Sequence, residues 1–373
     1  MTPDWNAIER SVLSRHEAAL RATPQSPRWH AEGDVYTHTL MTLDALVQLD
    51  GYRRLPPRQQ LELRMAAALH DIGKPVTTDR TDPDCAAPRH GPVGARMARE
   101  LLWREHALCG SADLQNIRET VCLLIRYHGQ PNYTIIDKNA AWWLLRIAAA
   151  GELAPDFTVR LLCLLAEADF RGRECNDLDV ALERIELCAE LASDEGCLDG
   201  PYPFPSLHTQ RAFMAERPVW KDQQLFDDTW GEVVMLCGLP GTGKDYWIAQ
   251  HCAGMPVVSL DDLRRQLRVA PTHDQGRIVN QAKELARQHL RAHEPFVWNA
   301  TNISGDTRRQ LIALFESYHA RVRLVYLETG WQEQQRRNHQ REAVVPQDVI
   351  DRMLARLVPP DRHEATRVEW HCV

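Results

Sequence analysis

The sequence predicts a chain in two parts, an all-α domain followed by an α/β domain with a parallel sheet. Over residues 5–200, apolar residues recur at intervals of three and four with few β-branched runs, which is typical of packed helices. From residue 231 onward, short apolar runs alternate with helical segments, as in βαβ units. The four predicted strands lie in the segments EVVMLCG, PVVSL, PFVWNA and RVRLVYLE.

The region between the two patterns predicts the domain boundaries. Residues 198–224 contain four prolines, several aromatic residues and little periodicity. We expect this stretch to pack onto one of the domains through Tyr202, Phe204, Phe213 and Trp220. We therefore predict a helical domain at 1–200, a connector at 201–230 and an α/β domain at 231–373.

Composition restricts the class of protein. A chain of 373 residues with 44% hydrophobic and 25% charged residues can form two or three domains with ordinary cores. The start lacks the apolar segment of a secretory signal, and no apolar run approaches the ~20 residues that span a bilayer, so we expect a soluble, cytoplasmic protein. Ten scattered cysteines without a Cys-x-x-Cys pair indicate reduced thiols. The net charge of −7, without a basic run, argues against tight binding along extended nucleic acid but allows a partner held at one end.

A glycine-rich segment follows the first predicted strand and reads Gly238-Leu239-Pro240-Gly241-Thr242-Gly243-Lys244-Asp245. Glycines at these positions let backbone N–H groups point at phosphate oxygens, the next helix adds its positive dipole end, and Lys244 can reach the β and γ phosphates. A chance glycine turn is disfavoured by the full spacing between strand and helix. We therefore predict a site for ATP or another nucleoside triphosphate with Mg²⁺, formed by Gly238, Pro240, Gly241, Thr242, Gly243, Lys244 and Asp245.

Asp245 departs from the usual pattern of this loop. The position after the lysine is normally Ser or Thr, whose hydroxyl binds magnesium. A carboxylate can still hold a hydrated magnesium ion, but it places a negative charge close to the triphosphate. Lys244 and the metal must offset that charge, so we expect an unusual metal arrangement.

Polar residues follow the second predicted strand at positions 259–264. At the carboxyl end of a strand, Asp261 can accept the proton of an attacking hydroxyl, and Arg264 can bind a phosphate. The alternative is that Asp261 only caps the next helix. The phosphate loop upstream favours the catalytic interpretation.

Two later segments have polar residues with open interpretations. At 298–302 the third strand ends in Asn and Thr, which ordinary turn chemistry explains as well as function does. Arg337 and Arg341 are four residues apart, so on a helix they share a face, from which they could stabilise charge on a transferred phosphoryl group. A solvated basic face is the alternative for this pair.

The order of these motifs over residues 231–358 resembles the phage-type polynucleotide 5′-kinase family. The family's third motif usually has an acid near its start, where Asn299 and Ala300 stand here. The acid's contribution is either missing or shifted to Asp245. The resemblance implies that Asp261 is the general base on a polynucleotide 5′-hydroxyl and that Arg264 contacts a substrate phosphate. It also implies that Arg337 and Arg341 are the two lid arginines.

The N-terminal part carries a set of inward-facing polar residues. His70-Asp71 ends an apolar helical segment, and His38, His128 and Asp169 each share a face with apolar residues. A lone inward histidine is usually a hydrogen-bonded core residue. A whole set in one core is costly unless it is paired or binds metal, so we favour a metal site.

The pattern H…HD…D, with HDIGKP and LAEADFRGR, resembles the HD phosphohydrolase superfamily. In that superfamily metals activate water for in-line attack on phosphorus. The donor types suit one or two divalent ions such as manganese, iron or nickel better than calcium. His30 is a candidate for a role behind the ligands. The resemblance implies primary metal ligands at His38, His70, Asp71 and Asp169, second-metal ligands at His90 and His128, and a phosphate-binding basic residue at Lys74.

The fusion of the two modules resembles the bacterial bifunctional HD-domain polynucleotide kinases. That resemblance implies RNA end healing: a kinase for 5′-hydroxyl ends and a phosphatase for 2′,3′-cyclic or 2′(3′) phosphates, followed by an RNA ligase. RNA or DNA ends are both open as partners, as is a homo-oligomer. Two other interpretations remain. The kinase module could act on a small molecule while the HD module clears a nucleotide, or a triphosphate site without transfer could regulate the HD module.

Overall fold

The computed structural model describes residues 4–269, 275–341 and 343–373. Glu342, inside the predicted lid motif, lies outside these residues. Contacts divide the chain into two compact units, one comprising the residues up to Leu108 with Asp113–Tyr202, the other Cys109–Ala112 with Pro203–Val373. Within the described part of the chain, no helix has the length and apolar character needed to cross a membrane.

The first unit is helical, as the periodicity predicts. Side chains cap the two helices that later provide metal-ligand candidates: Asp34 accepts from the Thr37 N–H at 2.9 Å, and Thr158 from the Leu161 N–H at 3.2 Å. Its helices are α1 (Trp5–Arg21), α2 (Val35–Gln48), α3 (Asp50–Arg53), α4 (Pro57–Leu69), α5 (Lys74–Thr77), α6 (His90–Arg104), α7 (Ala112–Tyr127), α8 (Gln130–Thr134), α9 (Ala140–Ala148), α10 (Val159–Arg171) and α11 (Leu178–Asp194), with a 3₁₀ turn at Ala149–Glu152. Because α10 packs against α2, α4 and α11, it lies at the centre of this core.

A buried ionic group holds α6 against α7. Glu119 accepts hydrogen bonds from Arg99 at 2.9 and 2.6 Å and from Arg118 at 2.8 Å, and all three residues are buried. Burial opposes ionisation of Glu119, but the two guanidinium groups outweigh it and hold its pKa below the usual range. The carboxylate is therefore charged and fully dependent on its partners.

The second unit is a parallel sheet flanked by helices. In the described residues the sheet has five strands in the order β2-β3-β1-β4-β5, and every pairing is parallel. The strands are β1 (Glu232–Cys237), β2 (Val257–Ser259), β3 (Phe296–Asn299), β4 (Arg321–Glu328) and β5 (Arg367–Cys372). The helices are α12 (Leu207–Met214), α13 (Lys244–His251), α14 (Leu260–Leu267), α15 (Gln275–Arg291), α16 (Gly305–Glu316), α17 (Trp331–His339) and α18 (Gln347–Arg356), with a 3₁₀ turn at Arg362–Glu364. The predicted fold class, a helical domain followed by an α/β domain with a parallel sheet, is confirmed.

Strand register brings the polar strand ends together. β1 is central, with β3 on one side and β4 on the other, so the loop after it lies where the chain changes direction across the sheet. Ser259 and Asn299 are register partners at the ends of β2 and β3. All the strands end at the same edge, so the segments after β1, β2 and β3 meet there. The strand β5 was not predicted, since its sequence RVEWHC mixes polar and apolar residues at the sheet edge.

The predicted connector is partly ordered as helix α12, which packs in the second unit. Arg211 donates to Glu316 at 2.9 Å and to the His363 carbonyl at 2.7 Å, and the rings of Phe204 and Phe213 lie 5.5 Å apart. The expectation that Trp220 also packs is wrong, because its side chain is 83% exposed. The Arg211 side chain attaches this segment to the rest of the second unit.

We predict that Glu119→Leu destabilises the first unit strongly. Removing the carboxylate takes away the charge that Arg99 and Arg118 share in the core, and breaking a buried ion pair typically costs about 3–5 kcal/mol. Thermal and urea unfolding would measure the change. Asp199→Asn, which removes an exposed pair with Arg160, is the control and should cost less than about 1 kcal/mol. Equal effects of the two substitutions would contradict the prediction.

Candidate metal centre and phosphate-binding site

Three helices of the first unit bring the predicted primary ligands together. His38 lies on α2, His70 and Asp71 follow α4, and Asp169 lies on α10. His38 Nε2 is 2.9 Å from Asp169 Oδ1 and 3.2 Å from His70 Nε2, and His70 Nε2 is 3.3 Å from Asp71 Oδ2. All four side chains are at most 2% exposed. Four polar groups with distant sequence positions thus share one buried space.

The second histidine pair lies on the other side of Asp71. His90 begins α6 and His128 directly follows α7. Their Nε2 atoms are 3.0 Å apart and lie 3.5 and 4.0 Å from Asp71 Oδ1. Asp71 therefore presents one oxygen to each histidine pair, an arrangement that could bridge two ions.

Backbone contacts determine which ring nitrogens face this space. The Nδ1 atoms of His70, His90 and His128 lie 2.7, 2.8 and 2.7 Å from the carbonyls of residues 67, 87 and 125, and that of His38 lies 3.1 Å from the Gly172 carbonyl. A carbonyl only accepts, so each Nδ1 carries the proton. In the neutral rings, each Nε2 then presents a lone pair to its neighbour. A cation between such facing lone pairs would stabilise them, and a divalent metal ion fits this position.

The carboxylates support the same conclusion. Among the described residues no hydrogen-bond donor is assigned to either buried oxygen of Asp71, and the ammonium of Lys74 forms an ion pair with Oδ2 at 2.7 Å. Burial opposes ionisation of Asp71, but Lys74 and the histidines hold its pKa well below the usual range. Burial also opposes ionisation of Asp169, but Arg173 and His38 hold its pKa well below the usual range. Two carboxylates and four imidazole lone pairs form a complete donor set for transition-metal ions.

Sequence reasoning missed two residues behind this set. Arg173 forms an ion pair with Asp169 through two of its guanidinium nitrogens, Nε and Nη2, and the pKa of Arg173 is raised although burial opposes the charge. Glu32 accepts from His30 Nδ1 at 2.7 Å and from the Glu174 N–H at 3.0 Å, and lies 3.2 Å from His38 Nδ1. The i,i+4 spacing of Asp169 and Arg173 was a usable signal for the first. The second depends on a contact 142 residues away in sequence.

Gly172 allows α10 to approach α2 closely. A Cβ atom built there would lie 2.6 Å from the Thr42 nitrogen and 2.7 Å from its Cα. Its carbonyl is also the partner of His38 Nδ1. A residue that makes no ligand contact thus sets the distance between two ligand-bearing helices.

The predicted phosphate loop has the backbone that its glycines require. Gly238 has φ +149° and Gly241 has φ +82°, and a Cβ at Gly238 would lie 2.4 Å from the Leu327 carbonyl. Helix α13 begins at Lys244, directly after Gly243. The hydroxyl of Thr242 is buried and donates to the Leu239 carbonyl at 2.9 Å, so any phosphate contact of this residue comes from its backbone. A loop of this form before a helix N-terminus is suited to bind phosphate.

Lys244 is folded onto the loop. Its ammonium donates to the carbonyls of Gly238 at 3.0 Å and Leu239 at 2.8 Å. Burial, assisted by the positive charge of Arg341, lowers its pKa to about 8, against the opposing effect of Asp245. An incoming polyphosphate would offset both effects and favour the charged amine.

The later motifs converge on this loop. The exposed carboxylate of Asp261 is 2.5 Å from Arg264 and 3.5 Å from Arg341. Arg337 lies close to Gly243, since a Cβ there would be 3.2 Å from its Nη1. The alternative that Asp261 caps α14 is wrong, because the Ser259 hydroxyl accepts from the Asp262 N–H and fills that role.

One detail of the predicted lid is wrong. Arg337 and Arg341 do not share a helical face, because α17 ends at His339. There the chain turns, with the Gln340 N–H donating to the Arg336 and Arg337 carbonyls and the Asn338 amide to the Val345 carbonyl at 2.8 Å. The turn, and not helical spacing, brings Arg341 to Asp261.

Comparison with known proteins agrees with the two units. Residues 35–165 match a family model described as an HD domain, and residues 233–360 match one described as an AAA domain. A multifunctional CCA protein of Halorhodospira halophila (strain DSM 244 / SL1) is 39% identical over 116 residues, which is 30% of this chain and 23% of that protein. The match thus spans less than a quarter of the relative's length. One chain therefore combines an HD domain with a P-loop kinase-like domain, and both are associated with phosphate chemistry.

We predict that Glu32→Ala weakens binding of divalent metal without unfolding the first unit. His38 would lose the carboxylate behind its Nδ1, and removal of such a partner typically costs about 10–100-fold in metal affinity. Calorimetric titration with Mn²⁺ would measure the change. Glu174→Ala is the matched control, because that residue contacts Glu32 through its backbone N–H. Unchanged affinity in Glu32→Ala would contradict the role given to Glu32.

We also predict a pH-dependent affinity for ATP that depends on Lys244. Below pH 8 the amine is protonated with or without nucleotide, so affinity should be constant. Above its pKa of about 8 the free protein must take up a proton on binding, so the dissociation constant should rise by up to about tenfold per pH unit. Fluorescence titration from about pH 6.5 to 9.5 would test this. Lys244→Met should bind weakly with no such rise, and a flat wild-type profile would refute the prediction.

Proposed function

We propose that this protein is a bifunctional RNA end-healing enzyme. The P-loop unit would be an ATP-dependent kinase for polynucleotide 5′-hydroxyl ends. The HD unit would be a metal-dependent phosphatase for 2′,3′-cyclic or 2′(3′)-phosphate ends. One observation carries the proposal: the same chain contains two candidate sites for phosphate chemistry. The second unit has a phosphate loop and the exposed carboxylate of Asp261, and the first unit has a buried His/Asp centre.

In the kinase reaction, Asp261 is the general base. Its carboxylate is exposed and can accept the proton of a 5′-hydroxyl while that oxygen attacks the γ phosphorus and the nucleoside diphosphate leaves. Arg264 contacts a phosphate of the acceptor strand. Lys244, Arg337 and Arg341 stabilise the charge that builds up on the transferred group. An Mg²⁺ ion bound with the nucleotide would neutralise part of that charge.

In the phosphatase reaction, the His/Asp set holds the metal ions. His38, His70, Asp71 and Asp169 would bind one ion, and Asp71 with His90 and His128 a second. Bound metals of this kind activate water and polarise a phosphoryl group. Lys74 and Arg173, which pair with the two carboxylates, keep those side chains ionised and oriented. Lys74 can also bind the departing phosphate.

The two activities suit one substrate class. Ribonucleases that act without a metal leave a 5′-hydroxyl on one fragment and a 2′,3′-cyclic phosphate on the other. Conversion of both ends produces the 5′-phosphate and 3′-hydroxyl that an RNA ligase joins. The competing proposal is that the kinase unit phosphorylates a small molecule. Phosphate transfer to a free nucleoside instead of an oligonucleotide would distinguish it.

We predict separable loss of the two reactions. An oligonucleotide with 5′-hydroxyl and 2′,3′-cyclic phosphate ends would be incubated with ATP, Mg²⁺ and Mn²⁺, and both termini analysed. Asp261→Ala should reduce 5′ phosphorylation by at least about 100-fold, as expected for loss of a general base, and leave the 3′ reaction intact. His70→Ala should do the reverse.

Free nucleosides in the same reaction serve as competing acceptors. Phosphorylation of the nucleoside alone would overturn the polynucleotide assignment while keeping the kinase. Normal 5′ transfer by Asp261→Ala would show that the assigned base is wrong. Asp262→Asn is the matched control, since this neighbouring carboxylate pairs with Arg265 and has no proposed role in transfer.

A further inference from the structure

The two sequence positions that depart from the usual pattern of a phosphate-loop kinase contact each other. Asp245 occupies the place of the hydroxyl residue after the loop lysine, and Asn299 ends β3, the strand next to β1. The Asn299 amide donates to Asp245 Oδ1 at 2.7 Å. Residues 54 positions apart in sequence are thus joined where nucleotide phosphates and their metal ion lie in proteins with this loop.

We propose that Asp245 and Asn299 form the divalent-metal docking pair of the triphosphate site, with the carboxylate on α13 and an amide on the strand. In P-loop proteins the metal usually has a hydroxyl on the helix and a carboxylate on a neighbouring strand. In this chain the carboxylate lies on the helix, at Asp245, and the strand carries the amide of Asn299. The pair therefore still provides one anionic ligand. This inference rests on the proposed triphosphate site and concerns how that site holds its metal.

The geometry favours a metal ligand over a simple tether between α13 and β3. Asn299 is buried, with 9% exposure, so its amide is held in place, whereas Asp245 is exposed. Only Oδ1 is engaged by the amide. In the described residues Asp245 Oδ2 has no hydrogen-bond partner, so one oxygen is oriented by Asn299 and the other is available for a hydrated ion.

The surrounding charges can tolerate the extra carboxylate. Lys244 is adjacent, Arg337 lies beside Gly243, and Arg341 is close enough to Lys244 to lower its pKa. These cations offset Asp245 as well as the phosphates. A carboxylate binds Mg²⁺ more strongly than a hydroxyl does in charge terms, but in a metal-free site it repels the triphosphate. The pair should therefore make ATP binding unusually dependent on the divalent ion.

The test measures ATP affinity with Mg²⁺ and with EDTA and takes the ratio of the two affinities as the metal-dependent gain. In Asp245→Asn this gain should fall at least about tenfold, while affinity in EDTA stays equal or improves because a repulsive charge is gone. Asn299→Ala should reduce the gain by a smaller factor than Asp245→Asn does, since the carboxylate remains but is no longer oriented. Asp262→Asn is the control and should retain the wild-type gain.

A structural tether would behave differently. Asp245→Asn would then lower ATP affinity equally in Mg²⁺ and EDTA, together with the melting temperature, and that result would overturn the proposal. A wild-type gain in Asp245→Asn would also overturn it. A lost gain in Asp245→Asn with a wild-type gain in Asn299→Ala would refute the orienting role of Asn299. Failure of the wild-type protein to bind ATP would remove the triphosphate site itself, whereas metal-dependent binding without transfer to an oligonucleotide would refute only the acceptor.

Discussion

Buried polar atoms must find partners, and this requirement shapes both candidate sites. In the first unit, the Nδ1 atoms of four histidines donate to backbone carbonyls, so their Nε2 atoms face one another and Asp71 in one buried space. Lys74 and Arg173 pair with the two carboxylates, and the facing imidazole nitrogens offer a site for a cation. In the second unit, the Lys244 ammonium instead donates hydrogen bonds to carbonyls of the loop. The phosphates of a bound nucleotide would replace those carbonyls as its partners. The first site thus offers unprotonated nitrogens to a ligand, and in the second a lysine and the loop carbonyls satisfy each other.

Much of the architecture follows from patterns within short segments. Helical periodicity and the alternation of apolar runs predict the helical unit and β1 to β4, and the glycine spacing predicts the loop. The edge strand β5 was not predicted, because edge strands carry mixed polar and apolar residues and lack a strong apolar signal. The position at which α17 ends was not predicted for a related reason. It is determined by Asn338 binding the Val345 carbonyl, a tertiary closure that no helical repeat reveals.

The sites divide in the same way. The histidines and aspartates stand out in sequence because they interrupt apolar faces, and the structure brings all of them into one centre. Glu32 does not stand out, since its partners His38 and Glu174 are defined only by the fold. Likewise Asn299 looks like turn chemistry until its contact with Asp245 is known. Residues that act through others are the hardest to predict from one sequence.

Gly172 shows where the metal centre is most vulnerable to genetic change. It holds no ligand atom and has an ordinary backbone conformation, yet a single methyl group there would push against the Thr42 backbone and part α2 from α10. Natural variants that disrupt this His/Asp centre should therefore occur at this glycine as well as at the candidate ligands. A screen restricted to histidines and aspartates would overlook that class of inactive alleles.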